Sequence, residues 1–291
     1  MQKVAIVTDS TACLSRELVE THGIEIVPTE MAFEGRLYRD GIDSPEAFYA
    51  HLRQADKPPT TSAPPPGLFL EAYTRAAKRA ESVLCITIPA DLSSTHNSSQ
   101  QAIVLAREEL PDVRIVSVSA PAVAAGQGLV ALEAAEAAER GGDLDAVTAL
   151  VAELAPRVHF FAVLDSLEHL AKGGHVPKAA AWLGDLVGVK PILTATDGKV
   201  ERLSQARSKR GAVAKMLRMM EERNPARLPI RALVMHADAP AEAQRFREQI
   251  EARFPCESLS ITQFTPVMGA HSGPGVVGVA FRTVEQDRNG A

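Results

Sequence analysis

The sequence predicts an α/β protein in which helices cover a parallel sheet on both of its faces. Short β-branched runs alternate with helical patterns through the first half of the chain. Four of these runs are apolar on both faces, which is typical of strands buried inside a parallel sheet. The strands predicted there are residues 4–7, 24–27, 83–88 and 113–118.

Helical patterns between and after these strands supply the two covering layers. The last of them is so rich in alanine that we expect it to pack closely against a neighbouring element. The predicted helices are residues 15–22, 45–55, 66–80, 98–110 and 121–140.

The pattern changes near Pro156, where we place a domain boundary. Gly141-Gly142-Asp143 ends one helix and begins the next, over residues 144–154, because Gly favours helix C-termini and Asp favours N-caps. Beyond Pro156 the strands are spaced more widely. They are predicted at residues 159–164, 230–236, 258–264 and 276–282, with helices at 178–187, 209–223 and 241–253. The sequence therefore predicts domains 1–156 and 157–291.

The composition suits a globular protein with a large core and argues against several functions. The 291 residues are 46% hydrophobic, and a length of this kind favours two domains. The net charge of −5 is mild, and the basic residues form no run, so nucleic acid is not an expected partner. Cys13, Cys85 and Cys256 lie far apart and form no CxxC pair, which argues against disulfides and thiolate metal sites.

The N-terminal segment has neither the basic start nor the apolar stretch of a signal peptide. The apolar runs elsewhere are shorter than a membrane span. We therefore expect a cytoplasmic protein with at most transient membrane contact.

Four short segments combine hydroxyl groups with a nearby Gly or Pro and contain no lysine. The first and third follow predicted strands and the first three precede helices, which is where ligands bind in open α/β sheets. A helix N-terminus suits an anion, and a phosphate loop would add a lysine, so these segments favour a singly charged carboxylate. The segments are Thr8-Asp9-Ser10-Thr11, Thr60-Thr61-Ser62-Ala63-Pro64, Leu92-Ser93-Ser94-Thr95-His96 and Gly269-Ala270-His271-Ser272-Gly273-Pro274-Gly275.

Each segment alone is also explained by a Ser or Thr that caps a helix. His271 favours a ligand-binding site over this explanation, because a loop rich in glycine leaves little bulk around its ring. Asp9 is a lone carboxylate that we expect to orient its turn by an Asx bond. We find no metal-ligand cluster and no GxSxG motif, and Gly126-Gln127-Gly128 lies inside a helical pattern. The expected site therefore has no metal, cofactor or catalytic residue.

The segments resemble the DegV family in order and spacing along the whole chain. Several motifs that agree in order are more specific than any one of them. The resemblance implies a two-domain fold: a parallel α/β/α sandwich followed by a second α/β domain with a mixed sheet. The matching stretches are residues 4–15 (VAIVTDSTACLS), 61–64 (TSAP), 86–98 (ITIPADLSSTHNS), 167–193, 197–212 and 270–281 (AHSGPGVVGVAF).

The resemblance also implies a carrier, not an enzyme, that encloses one long-chain fatty acid such as palmitate, stearate or oleate. The carboxylate would lie between the domains and the tail in a pocket of the second domain. An ATP-dependent fatty acid kinase would act on the bound acid to make an acyl phosphate. Thr61, Ser93 and His271 would contact the carboxylate. The other positions assigned to the site are Ser10, Thr11, Ser62, Ser94, Thr95, Gly269 and Ala270, with Arg207 facing a partner.

Several positions depart from the family pattern. The family has Ser-Gly-Thr-Tyr where this chain has Ser93-Ser94-Thr95-His96, and a serine where it has Pro89. A Gly-Gly-Arg pattern becomes Gly173-Gly174-His175, which loses a fixed positive charge. Ser119-Ala120 replaces a common Asp-Ser pair. The most compact basic cluster is either a solvated helix start or a docking surface for the kinase, and consists of Arg202, Arg207, Lys209 and Arg210.

Two other functions remain open. The fold class also resembles dihydroxyacetone kinases, so the chain could be a subunit that binds a small ketone through His271. It could also be an interaction protein that holds no ligand. A small polar ligand would need polar walls, whereas the residues expected around the pocket are apolar. These residues are Phe160, Phe161, Ala179, Ala180, Ala181, Leu183, Leu186, Val187 and Ile192.

Overall fold

The structure, a computed structural model, describes residues 2–41, 44–55, 57–174, 176, 178–182 and 188–285. The described chain forms a parallel-sheet domain followed by a mixed-sheet domain, with a small antiparallel sheet beside the first. None of its helices combines the length and apolar character needed to cross a lipid bilayer.

The first part of the chain confirms the four predicted strands and the predicted helices, with ends that differ by a few residues. The strands are β1 (Gln2–Asp9), β2 (Glu25–Val27), β3 (Glu30–Phe33), β4 (Arg36–Arg39), β5 (Thr60–Ser62), β6 (Ala80–Thr87) and β7 (Arg114–Ser119). The helices are α1 (Arg16–Thr21), α2 (Pro45–Leu52), α3 (Pro66–Ala77), α4 (Thr95–Glu109), α5 (Ala125–Glu139) and α6 (Leu144–Leu154).

The parallel sheet has the strand order β2-β1-β6-β7. Thr8 of β1 pairs with Ile86 of β6, so the carboxyl ends of these two central strands lie side by side. Successive side chains of β1 face opposite cores: Val4 and Ile6 point to one, Ala5 and Val7 to the other. β1 and β6 are therefore buried on both faces, as the sequence predicts, whereas β7 at the edge of the sheet is only half-buried or exposed.

The small sheet, with the order β4-β3-β5, was not predicted. β3 and β4 are joined by a tight turn in which Glu34 and Gly35 both have positive φ, 47° and 78°. We interpreted Thr60–Ser62 as part of a capping segment, whereas it is strand β5 and pairs with β3. Thr61 therefore belongs to a strand.

The second part of the chain confirms the four predicted strands and adds a hairpin. The strands are β8 (His159–Val163), β9 (Lys190–Thr196), β10 (Lys199–Ala206), β11 (Ile230–His236), β12 (Cys256–Gln263) and β13 (Val277–Thr283). The helices are α7 (Glu168–Lys172), α8 (Ala179–Trp182), α9 (Lys209–Arg223), α10 (Pro240–Glu251) and α11 (Pro266–Ser272). Of the helix predicted at residues 178–187, only α8 lies within the described residues.

These strands form one sheet with the order β10-β9-β8-β13-β11-β12. β11 and β12 are parallel while the other pairs are antiparallel, so the mixed sheet implied by the resemblance is confirmed. The β9–β10 hairpin was missed although Asp197-Gly198 is a strong hairpin turn signal. Both residues have positive φ, 48° and 75°.

Helix α5 packs between the two sheets, against β1 on one side and against β11 and β13 on the other. Twelve of its fifteen residues are buried. A Cβ at Gly128 would lie 2.5 Å from the Ala12 carbonyl oxygen, which confirms the close packing expected from the small residues. One core continues through α5 from β1 to β11, so the two sheets share buried residues on both sides of the boundary predicted near Pro156.

Candidate functional site

A cavity of about 410 Å³ is lined by residues of both domains. Among the described residues, nine polar and sixteen apolar side chains line it. The polar residues come from the loops after β1, β2 and β6, from β5, and from α4 and α11. They are Thr11, Thr29, Thr61, Ser62, Ser93, Ser94, Thr95, His271 and Ser272.

The apolar residues make the larger part of the wall. The parallel-sheet domain contributes Ala63, Ile88, Leu92, Val123 and Ala124. The mixed-sheet domain contributes Phe160, Ala162, Leu164, Leu170, Val176, Leu193, Val200, Phe264, Val267, Met268 and Val276. The cavity is therefore an apolar chamber with a cluster of hydroxyls and one imidazole in its wall.

Thr61 and His271 meet at the cavity although 210 residues separate them. Thr61 Oγ1 lies 3.0 Å from His271 Nε2, and both residues are half-buried. His271 lies in the last turn of α11, not in a glycine-rich loop as we expected. The helix begins with Pro266 after Thr265, whose Oγ1 accepts a hydrogen bond from Met268 N.

Two of the glycines near His271 allow close packing of neighbouring helices. A Cβ at Gly269 would overlap the Tyr49 hydroxyl. A Cβ at Gly273 would lie 2.5 Å from His169 Cδ2. Neighbouring helices therefore occupy the space at Gly269 and Gly273, while His271 itself lines the cavity.

Ser93 and Thr95 form a short hydroxyl network at the start of α4. Ser93 Oγ lies 2.8 Å from Thr95 Oγ1 and accepts a hydrogen bond from Thr95 N at 3.3 Å. Ser93 is half-buried, Thr95 is buried, and Ser94 between them is exposed. All three line the cavity, in the loop after β6 and at the first residue of α4.

Thr11 also lines the cavity, but its hydroxyl donates to Asp9 Oδ1. Asp9 accepts further hydrogen bonds from Thr11 N at 3.1 Å, Ile88 N at 2.9 Å and Gln127 Nε2 at 3.0 Å. The expected Asx bond is thus confirmed. Burial raises the pKa of the Asp9 carboxyl, and these hydrogen bonds oppose the shift. Asp9 therefore ties the end of β1 to the end of β6 and to α5.

Ser10 lies behind the cavity wall and donates to Asp40 Oδ2 at 2.8 Å. Thr29 donates to the same oxygen at 2.8 Å, while Val267 N donates to Asp40 Oδ1 at 3.1 Å. Burial raises the pKa of the Asp40 carboxyl, again against these hydrogen bonds. Asp40 thereby links the loop after β1 to the first turn of α11, which carries His271.

Sequence reasoning missed Thr29, Asp40 and Gln127. Gln127 gave a usable signal, because a lone amide inside an alanine-rich buried helix needs hydrogen-bond partners. We considered Gln127 only as part of a dinucleotide-binding motif, Gly126-Gln127-Gly128, which we rejected. Asp40 precedes Gly41 in what looks like an ordinary turn, so its role depends on contacts that are distant in sequence.

The remaining predicted site residues are not all at the cavity. Ser62 lines it and is exposed. Gly269 and Ala270 are buried and are not among the described lining residues. Arg207 is exposed between β10 and α9.

The predicted apolar wall is corrected in part. Phe160 lines the cavity, but Phe161 belongs to the core on the other face of the mixed sheet, because neighbouring side chains of a strand point in opposite directions. Ile192 lies in that second core as well. Residues 179–181 are not among the described lining residues. Leu183, Leu186, Val187 and His175 lie outside the described residues.

His96 and Pro89, which depart from the family pattern, both contact neighbouring residues near the cavity. His96 Nδ1 lies 3.1 Å from Thr87 Oγ1, and burial lowers the pKa of its imidazole. A Cβ at Gly198 would lie 2.8 Å from Pro89 Cβ, so the tip of the β9–β10 hairpin packs on the loop that leads to Ser93.

The basic cluster is partly neutralised. Lys209 Nζ lies 3.5 Å from Asp165 Oδ2, and Lys190 Nζ lies 2.9 Å from Asp165 Oδ1. Arg207 and Arg210 are exposed. The exposed positive charge of the cluster therefore rests more on these two arginines than on Lys209.

The described residues include no group of three or more His, Cys, Asp or Glu side chains arranged to hold a metal ion. The three cysteines are not in disulfides. Burial raises the pKa of the Cys85 thiol to about 12, so this group stays protonated at neutral pH.

Comparison with known proteins gives a consistent result. A sequence model of the DegV family, described as a family of uncharacterised proteins, matches residues 3–284. A DegV domain-containing protein of Streptomyces coelicolor is 37% identical over 279 residues, which is 95% of this chain and 97% of the relative.

Two solved structures have the same fold and are described by their ligands. One is a DegV family protein from Thermus thermophilus, described as fatty acid binding, with 31% identity and a TM-score of 0.87 over 98% of this chain and 100% of that chain. The other is a fatty acid (stearic acid)-binding protein from Eubacterium ventriosum, with 25% identity and a TM-score of 0.87 over 97% and 98% of the two chains.

Proposed function

This chain belongs to the DegV family, and we propose that it is a carrier that binds one long-chain fatty acid. The observation that carries the proposal is the cavity of about 410 Å³, which combines an apolar wall with a cluster of hydroxyls and an imidazole. Fatty acid binding is described for the Thermus thermophilus relative, and stearic acid binding for that of Eubacterium ventriosum.

The carboxylate is held by Thr61, Ser93 and His271 in this proposal. Support comes from the 3.0 Å contact between Thr61 Oγ1 and His271 Nε2 and from Ser93 on the wall of the same cavity. A carboxylate removed from water costs several kcal/mol unless its lone pairs accept hydrogen bonds. Each hydrogen bond to a charged group contributes about 1.5–3 kcal/mol, so three donors offset that cost.

The tail occupies the apolar chamber. At about 0.8 kcal/mol per buried CH₂, a chain of roughly sixteen carbons gains on the order of ten kcal/mol before the entropy cost of binding. The sixteen apolar lining residues favour such a ligand over the small ketone of the alternative function, which would need more polar partners.

Native mass spectrometry of protein purified from a bacterial host tests the proposal. We expect a mass increase of one fatty acid, and organic extraction should release a saturated or monounsaturated acid in near-equimolar amount. Protein that carries no lipid and takes up none on incubation with palmitate, stearate or oleate would exclude the carrier function. Binding of dihydroxyacetone without lipid uptake would favour the alternative.

We further propose that the carrier presents its bound fatty acid to an ATP-dependent kinase, which converts it to an acyl phosphate. Arg207 and Arg210 support it, because both are exposed where β10 leads into α9. Reversal of both charges, Arg207→Glu with Arg210→Glu, should slow acyl phosphate formation by a cognate kinase and leave fatty acid binding intact.

A matched control reverses the same number of charges elsewhere. Arg157 and Arg245 are exposed and take part in short-range ion pairs on helical segments. Arg157→Glu with Arg245→Glu should therefore leave the rate of acyl phosphate formation unchanged. Equal rates for both double variants and the wild type would exclude Arg207 and Arg210 from kinase docking.

A further inference from the structure

The ends of α7 and α11 interlock through two reciprocal contacts between a glycine and a histidine. A Cβ at Gly173, just after α7, would lie 2.6 Å from His271 Nδ1. A Cβ at Gly273, just after α11, would lie 2.5 Å from His169 Cδ2. Both distances are shorter than real Cβ atoms allow, so each histidine fills space that a side chain on the other segment would occupy.

Gly173 and Thr61 lie against different ring nitrogens of His271. Nε2 lies 3.0 Å from Thr61 Oγ1, while Nδ1 lies against Gly173. One nitrogen of the ring therefore faces β5 and the other faces the end of α7. Packing of this kind limits the orientations that a side chain can adopt, and hydrogen bonds weaken steeply when their geometry is lost.

His169 supplies the second half of the interlock. Its ring is half-buried and packs against Gly273, and burial lowers the pKa of the imidazole, which favours its neutral form. Leu170, the next residue of α7, lines the cavity. Helix α7 therefore packs on the end of α11 and contributes to the cavity wall at the same time.

We propose that Gly173 and His169 are positioning residues that fix the imidazole of His271 for carboxylate recognition. The inference rests on the proposed function, since it assigns His271 a carboxylate to bind. Gly173 acts by leaving room for the ring, and His169 acts by holding the end of the helix that carries it. Neither residue needs to touch the fatty acid.

Gly173→Ala tests the first residue. The new methyl group displaces the ring, so the affinity for palmitate should fall about ten- to a hundredfold, the effect of losing one hydrogen bond to a charged group. The affinity for methyl palmitate, which carries no charge, should change much less. In protein that already carries His271→Ala, the alanine at position 173 should cause no further loss.

Gly67→Ala is the matched control, because a Cβ at this helical glycine meets nothing within 4 Å. It should bind palmitate as the wild type does. Equal losses of acid and ester in Gly173→Ala, or a loss that persists beside His271→Ala, would overturn the inference and assign Gly173 to general packing.

His169→Ala provides a second variant that introduces no clash. Both Gly173→Ala and His169→Ala should shift the ring-nitrogen resonances of His271 in NMR spectra of the lipid-free protein. Unchanged His271 resonances in both variants would overturn the inference whatever the binding data show. Wild-type protein that binds no fatty acid would instead exclude the proposed function, while the resonances would still decide whether the two residues position His271.

Discussion

At the scale of single residues, the hydroxyl groups around the cavity differ in where their protons point. Thr11 donates to Asp9 and Thr29 donates to Asp40, so both are committed to buried carboxylates. Ser93, by contrast, meets the hydroxyl of Thr95, which lines the cavity itself. The sequence grouped these hydroxyls by composition. The sequence could not show which hydroxyls donate to buried carboxylates and which face the cavity, because their hydrogen-bond partners become neighbours only in the folded chain.

Thr61, Ser93 and His271 are expected to contribute to binding through the charge of the ligand. Thr61→Val, Ser93→Ala and His271→Ala should each weaken palmitate binding about ten- to a hundredfold, since each removes one hydrogen bond to a charged group. Binding of methyl palmitate should fall much less. Titration calorimetry of delipidated protein with both ligands measures the difference.

Thr11→Val is the matched control, because the hydroxyl of Thr11 donates to Asp9. We expect it to lower the free energy of unfolding while the acid-to-ester affinity ratio stays at the wild-type value. A ratio that is unchanged in all three site variants would show that the head-group site lies elsewhere in the cavity.

At the scale of elements, the length of a helix decides whether the sequence predicts it. The fifteen-residue helix α9 was predicted at its observed bounds, because a long helical pattern carries its own signal. The seven-residue helix α11 was missed, and it is too short to be stable alone. It depends on Thr265 and Asp40, which supply hydrogen-bond partners for its first turn. Contacts of that kind cannot be read from local sequence.

Asp40 should make the stability of the protein depend on pH. Burial raises the pKa of its carboxyl, so over the range above the ordinary value the folded state binds a proton more readily than the unfolded state. The contribution of Asp40 to the free energy of unfolding therefore falls as the pH rises from about 4 to the raised pKa, by at most about 1.4 kcal/mol per unit.

Asp40→Asn removes this titration and keeps one oxygen for Val267 N. Urea unfolding between pH 4.5 and 7.5 should show the wild type losing stability relative to Asp40→Asn as the pH rises through that range. Asp112→Asn, at an exposed position, is the control and should follow the wild type. The prediction would be contradicted if the free energy of unfolding of the wild type rose relative to that of Asp40→Asn as the pH increased.

Helix α5 offers two glycines that should respond differently to the same substitution. A Cβ at Gly128 would lie 2.5 Å from a backbone oxygen, whereas a Cβ at Gly126 meets its nearest atom, a Val158 methyl, at 3.4 Å. Gly128→Ala should therefore destabilise the protein by about 1–3 kcal/mol through overpacking. Gly126→Ala should cost little, because the gain of up to about 1 kcal/mol in helix propensity offsets slight crowding. Equal unfolding midpoints in urea for the two variants would contradict close packing at Gly128.

At the scale of the whole molecule, the two sheets share both a core and a cavity. α5 packs against both sheets, and the walls of the cavity come from both domains. The sequence predicted the change of pattern near Pro156 from local spacing alone. It could not predict that the core continues across this boundary, because Val4 and Met235 join it from opposite ends of the chain. The domains 1–156 and 157–291 remain a prediction, and we expect them to unfold together.

A bound fatty acid should stabilise both domains at once, because its binding site exists only when the two are assembled. At a free concentration of one hundred times Kd, palmitate should raise the free energy of unfolding of delipidated protein by about 2.7 kcal/mol. Hydrogen exchange should slow in the loop after β6, which lines the cavity from the parallel-sheet domain, and in β9 and α11, which line it from the mixed-sheet domain. His271→Ala at the same palmitate concentration should show a smaller effect in all three segments. Slower hydrogen exchange in only one domain would mean that the fatty acid binds to that domain alone. The two sheets would then be coupled by their shared core and not by the ligand.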